Sequence, residues 1–172
     1  MITEDYIKNA YHQVLKEVSE VLPVSKWQLA PAGIGFTTEK TKYGLATPEG
    51  MVLINRFFIG TTAYTKLDFT LRHELAHAAA GLHNHHNRRF RMMERAFGVD
   101  PDRDLSDEIA QIQRRIDFKY TVFAHLENGR VHNLGGVHRK TKTYTEYPKD
   151  GRYTMSIEGV RVVRFEFQVN AA

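Results

Sequence analysis

His73 and His77 stand four residues apart with Glu74 beside the first, inside the stretch "TLRHELAHAAAGLHNHHNRRF" that spans residues 70–90. Four residues turn an α-helix by about 400°, so two histidines at that spacing leave one face about one turn apart. Two imidazole nitrogens so placed can share one ion at about 2.0–2.1 Å each. Glu74, rotated by about 100°, can flank the ion without binding it. There a carboxylate can take the proton of a metal-activated water and pass it to a leaving amine. The metal's part is to lower that water's pKa from about 15.7 toward 7. A structural site would need four protein ligands, whereas a hydrolytic one needs three and an open position. The third ligand therefore decides what the pattern H-E-x-x-H means here.

Five of the nine histidines lie between His73 and His86. His83 is six residues beyond His77, a spacing used where a glycine three after the second histidine turns the chain back. That position holds Ala80, and Gly81 comes one residue late. His85 is expected in solvent. His86 opens the next helical pattern, and a short reverse connection over residues 81–85 can bring it back over the first helix. His86 is the favoured third ligand. Glu94 could reach a two-helix site, but it is expected to pair with Arg91 or Arg95. His12 falls mid-helix, while His125, His132 and His138 are dispersed and read as surface or strand residues. For the loop histidines that bind nothing, a polar, His-rich connection is a sufficient explanation.

These side chains need elements to hold them. Residues 3–22 carry a Thr cap, two early acids and apolar residues at helical spacing until Pro23, which predicts an amphipathic helix. "GIGFTTE", "YGLATPEG" and "MVLINRFF" read as strands around a "TPEG" turn, and the continuous apolar run Met51–Ile54 predicts a central strand. A helix is expected from near Thr65 to Leu82, carrying "HELAH". Another should begin near His86 and be capped by Gly98. A third covers "DLSDEIAQIQRRI", with acids first and Arg114 and Arg115 last. From Phe118 the texture turns alternating and β-branched. Asn128-Gly129 and "PKDG" are hairpin signals, so four or five antiparallel strands are expected, including one through "KTKTYT". The division expected is 1–117 and 118–172, in an α+β chain.

Composition narrows the chemistry. There is no cysteine, so disulfides and thiolate metal sites are excluded, and any transition metal must use His, Asp or Glu. The net charge of +4 is uneven: residues 1–118 carry fifteen basic and fifteen acidic side chains, so the whole excess lies in the last third. That asymmetry suggests an anionic partner, with a solvated strand face as the plain alternative. The basic candidates for nucleic-acid contact are Arg130, Arg139, Lys140, Lys142, Arg152, Arg161 and Arg164. The charged, amphipathic N-terminal stretch is not a secretory signal, and no apolar run approaches the roughly 18 residues of a membrane span. The expectation is a cytoplasmic protein with no membrane partner.

"HELAH" followed by "HNRRFRMMERAFGVDP" resembles the SprT-like (Spartan-type) zinc metalloproteases, whose second element is H-G-x-x-[FW] opening the next helix. His86, Asn87, Arg88, Arg89 and Phe90 fit it, with Asn87 in place of glycine, a substitution that left-handed backbone would tolerate. "GMVLINRFF" resembles the family's strand with an Asn, here Asn55. The similarity covers roughly residues 1–110. It implies a zincin-like core with one Zn2+ bound by His73, His77 and His86, with Glu74 as general base. It also implies protein substrates, often bound on or crosslinked to DNA. Many relatives continue into a four-cysteine zinc ribbon. Here "YTMSIEGVRVV" has that spacing without cysteine, Met155 and Glu158 standing where ligands would be. A cysteine-less ribbon must hold itself by packing among Val122, Tyr144, Tyr153, Ile157, Val162 and Phe165.

The leading expectation is thus a zinc-dependent endopeptidase with a basic β module, its peptide substrate lying extended beside the strand that precedes the motif helix. A nucleic-acid-binding protein with a structural or vestigial zinc site is the alternative. A metal- or pH-responsive regulator is a third.

Overall fold

The first helix starts where the sequence places a cap: the Thr3 hydroxyl accepts from the Tyr6 amide at 3.1 Å. This helix, α1 (Glu4–Val21), buries Ile7, Tyr11, Val14 and Val18 along one stripe. Each such side chain contributes about 1.5–3 kcal/mol of apolar burial. In a computed structural model, residues 1–148 and 154–170 are described, and the chain is α+β, with two units, Met1–Ile116 and Asp117–Ala172.

In the first unit, β1 (Gly33–Thr37), β2 (Gly44–Ala46) and β3 (Met51–Asn55) form a sheet in the order β1-β3-β2. β3 is central, as its apolar run predicts: Val52 and Ile54 are buried, β1 pairs parallel to it and β2 antiparallel. The expected "TPEG" turn closes with Gly50 donating to the Thr47 carbonyl at 2.9 Å. With both edges of β3 occupied, a substrate cannot pair with it. The edge strands are β1 and β2, and β2 is the one that lines the cleft beside α2.

Helix α2 (Tyr64–Ala80) carries the histidine motif. It stops two residues before the expected Leu82 because Gly81 turns the chain with φ +96°. Its start has no side-chain cap of its own. The next-but-one helix, α4 (Ser106–Gln113), supplies one. Glu108 accepts from the Lys66 amide at 2.6 Å, and Gln111 accepts from the Thr62 amide at 3.0 Å. α2 is buried on more than one face, through Leu67, Leu71, Leu75, Ala76 and Ala78–Ala80. Arg72 ties it to its neighbours, bonding Asp68 and Glu17 of α1 and donating to the Phe97 carbonyl at 2.8 Å.

Helix α3 (Arg88–Ala96) begins two residues later than expected. Asn87 is its cap, with the side-chain oxygen accepting from the Phe90 amide at 3.1 Å. Its φ of −71° is ordinary, so Asn87 does not stand in for a left-handed glycine. Besides Gly81, the residue of the connection with positive φ is His85, at +44°. Gly98 ends the helix with φ +92°, as expected.

The second unit contains β4 (Tyr120–Leu126), β5 (Val131–Val137), α5 (Lys142–Thr145), β6 (Ser156–Ile157) and β7 (Val160–Val169), with strand order β5-β4-β7-β6 and antiparallel pairing throughout. The β4–β5 turn falls at Asn128-Gly129, where Gly129 takes φ +82°. Its core is Ala124, Leu126 and Val162, with Phe165, Ile157, Met155 and Tyr147 against it. Lys142–Thr145, read from sequence as strand, is a single helical turn. It lays Tyr144 on Phe165, with ring centroids 4.4 Å apart, so packing on the sheet outweighs local β propensity. Most of the "PKDG" turn, with Arg152 and Tyr153, lies outside the described residues.

Candidate metal and catalytic centre

α2 places His73 and His77 one turn apart, with ring centroids 4.9 Å from each other. The single 3-10 turn Leu82–Asn84 and the left-handed His85 then reverse the chain and bring His86 back over them. Its ring lies 5.2 Å from that of His73 and 5.0 Å from that of His77. One nitrogen from each of His73, His77 and His86 lies within 4.8 Å of the others, a group that could hold a metal ion. The Nε2 atoms of His73 and His86 are 3.3 Å apart. Two ligands on one tetrahedral ion at 2.0–2.1 Å stand about 3.3 Å apart, so this pair fits without rearrangement. His85 is exposed, as expected. His83 is also exposed, bonded to the Asn84 amide at 3.1 Å, and does not join the group.

The three rings share one support. Phe90 is buried on α3 and stacks on His77 with centroids 4.2 Å apart. It meets His73 and His86 at 5.0 Å each. Four residues on, and therefore on the same face of α3, Glu94 bonds His73 Nδ1 at 2.6 Å. This corrects the expected pairing of Glu94 with Arg91 or Arg95. The bond occupies Nδ1 and leaves Nε2 of His73 for a metal, the arrangement that fixes tautomer and ring orientation at metal sites. The signal was present in the sequence: the spacing from Phe90 to Glu94 equals that from His73 to His77.

Electrostatics suit ligation. Burial, then the neighbouring imidazoles of His73, His86 and His85, pushes His77 down to about 4, so it is neutral at neutral pH. Burial lowers His73 as well, with the Glu94 bond opposing it. Glu74 is 6% exposed. Burial raises its carboxyl to about 7, against a bond from the Ala46 amide that favours the carboxylate.

β2 comes close enough to α2 to make that bond only because Gly44 has no side chain. A Cβ there would sit 2.8 Å from Thr70 Cγ2 and 2.9 Å from Glu74 Oε1. β2 itself is held in place by buried Asn55. Its side-chain amide donates to the carbonyls of Glu39 and Lys42, at 2.5 and 2.8 Å, and its oxygen accepts from the Phe57 amide at 3.0 Å. Asn55 thus fixes the loop leading into the edge strand. Neither role was legible beforehand, since both depend on which strand lies against the helix.

The group opens on a cleft of about 890 Å³. Gly44–Ala46 form one wall, α2 the floor, and residues 99–101 and 103–106 with Ile109 the other wall.

Among the described residues, two of the basic candidates of the second unit, Arg164 and Lys140, lie on opposite faces of its sheet. Arg164 pairs with Glu166 at 3.1 Å beside His125, on the sheet face opposite Tyr120 and Phe167. Lys140 lies over those two rings, at 5.3 and 5.6 Å. Arg130 pairs with Glu158 at 2.9 Å, and Met155 packs into the core, so neither supposed ligand position is vacant for a metal. Arg139, Lys142 and Arg161 are exposed, and Arg152 is outside the described residues. Among the described residues, no helix is long and apolar enough to cross a membrane. No protein-family model matches the chain, and no curated protein or solved structure matches it either.

Proposed function

We propose that the chain is a zinc-dependent endopeptidase of the SprT-like type, with a zincin-like first unit and Glu74 as general base. The observation that carries this reading is the meeting of three imidazoles with a buried carboxylate on the floor of an open cleft. His73, His77 and His86 would hold the ion, three neutral nitrogens being a donor set that zinc accepts with room for a fourth ligand. Zinc supplies a Lewis acid that acidifies water and polarises a carbonyl. Glu74 takes the proton of the attacking water and returns it to the leaving amine. Burial favours its taking up that proton, and the Ala46 amide aims it.

The edge strand β2 aligns the substrate. Tyr43, Leu45 and Thr47 face β3, as the bonds from Asn55 to Tyr43 and from Thr47 to Met51 require. The amide and carbonyl of Gly44 and the carbonyl of Ala46 therefore point away from the sheet, toward the cleft, while the Ala46 amide is kept by Glu74. A peptide pairing there lies extended past the imidazoles, with the scissile carbonyl at Glu74.

The test is Glu74→Gln in zinc-loaded protein, with an unfolded protein as substrate. Cleavage should fall by about 10³-fold or more while metal content stays near one ion per chain. Proteolysis retained by that variant refutes the assignment.

The charge asymmetry favours a second reading of the last third, as a nucleic-acid-binding module built on a cysteine-less ribbon. DNA affinity that drops steeply with salt, together with no peptidase activity, would select it over the first.

A further inference from the structure

The cleft contains a cation that the chemistry above does not use. Lys66 lies on α2 seven residues before His73, two turns along the face that carries the imidazoles, and its half-buried side chain lines the same cleft. Its ammonium sits 4.4 Å from the centroid of the Tyr43 ring, at the start of β2. Among the described residues, Lys66 forms no ion pair within 4.0 Å. The nearest acids are otherwise engaged: Glu94 bonds His73, and Glu108 bonds the Lys66 amide. Burial pulls the lysine below its ordinary pKa, opposed at longer range by Glu94, Glu108 and Glu74. An aromatic face is worth about 0.5–2 kcal/mol to an ammonium, which leaves a partly desolvated charge short of a counterion.

We infer that Lys66, backed by Tyr43, determines specificity by receiving an acidic side chain, Asp or Glu, from the peptide on the leaving-amine side of the scissile bond. The choice of side follows from taking the peptide antiparallel to β2, the pairing more stable per residue. A peptide antiparallel to β2 runs from Ala46 toward Gly44, so the residues after the cut run toward Tyr43 and Lys66. The choice of ligand follows from the surroundings. Phe69, Leu105 and Ile109 line the cleft and suit the methylenes of a Glu, and one ammonium among remote carboxylates matches one negative charge better than a phosphate's two. The cleavage step rests on the peptidase reading; the binding of the acidic side chain does not.

Two measurements separate them. Cleavage sites in a denatured protein mixture are mapped for zinc-loaded wild type, Lys66→Met and Lys66→Glu. Independently of turnover, the Glu74→Gln variant is titrated by calorimetry with blocked hexapeptides that differ only in Glu or Gln at one position. Wild type should show Asp or Glu enriched at the first or second residue after the cut. Lys66→Met should lose that preference, and Lys66→Glu should exchange it for Lys or Arg. The Glu peptide should bind about tenfold tighter than the Gln peptide, the worth of one charge-assisted bond. Cleavage without acid preference, or an unchanged profile in Lys66→Glu, overturns the role of Lys66 and leaves the peptidase standing. Acid-selective binding without any cleavage upholds Lys66 and removes the peptidase. Equal binding of the two peptides overturns the inference whatever is cleaved. Both wild-type cleavage and the titration decide the matter even if a Lys66 variant fails to fold.

Discussion

Glu74 offers a quantitative test that needs no substrate. Its carboxyl rises from an ordinary 4.5 to about 7 because burial disfavours the charged form. A group that holds its proton more tightly when folded takes up a proton on folding, so stability falls as pH rises between the two values. At 1.36 kcal/mol for each pH unit, the rise corresponds to about 3 kcal/mol. Gln keeps the shape and an oxygen for the Ala46 amide but never ionises. In metal-free protein held with chelator, Glu74→Gln and wild type should therefore be equally stable below about pH 4.5. The variant should gain steadily through pH 7 and level off about 3 kcal/mol ahead, a difference of roughly 10 °C in midpoint for a domain of this size. Urea denaturation at half-unit pH steps measures it. Added zinc should shrink the gap, because a nearby dication favours the carboxylate. A stability difference flat across pH 4–9, or a variant less stable at pH 8, would refute the burial argument.

Three further outcomes follow from the site. Alanine at His73, His77 or His86 should weaken zinc binding by at least about 100-fold in a chelator competition, while His83→Ala and His85→Ala leave it unchanged. Glu94→Gln should weaken zinc binding by about 10–100-fold with little change in the far-ultraviolet spectrum, because only the brace on His73 Nδ1 is altered. Equal affinity in that variant would make Glu94 merely a neighbour. Gly44→Ala forces a Cβ to within 2.8–2.9 Å of Thr70 and Glu74, so it should cost about 1–3 kcal/mol in denaturation and depress turnover without altering zinc stoichiometry.

Much of the local structure follows from the chain alone. Thr3 with the stripe from Ile7 to Val18 specifies α1, Met51–Ile54 specifies a central strand, and Asn128-Gly129 specifies a hairpin, because each depends on neighbours in sequence. Element ends were less legible. α2 stops at Gly81 and α3 starts after Asn87, since glycine geometry and side-chain capping decide the last turn. Lys142–Thr145 defied its strand-like composition once Tyr144 found Phe165.

For the site, spacing alone determined that His73 and His77 share a helix face with Glu74 beside them, since three or four residues of helix admit no other arrangement. The tertiary structure decided the rest. The connection over residues 81–87 chose His86 over His83 and His85. The packing of α3 on α2 gave Glu94 to His73. The approach of β2 buried Glu74 and brought Tyr43 to Lys66. The last three of these, Glu94 with His73, Ala46 with Glu74 and Tyr43 with Lys66, join residues more than 20 positions apart, and no periodicity in a single chain can encode which of two distant surfaces will come to face each other.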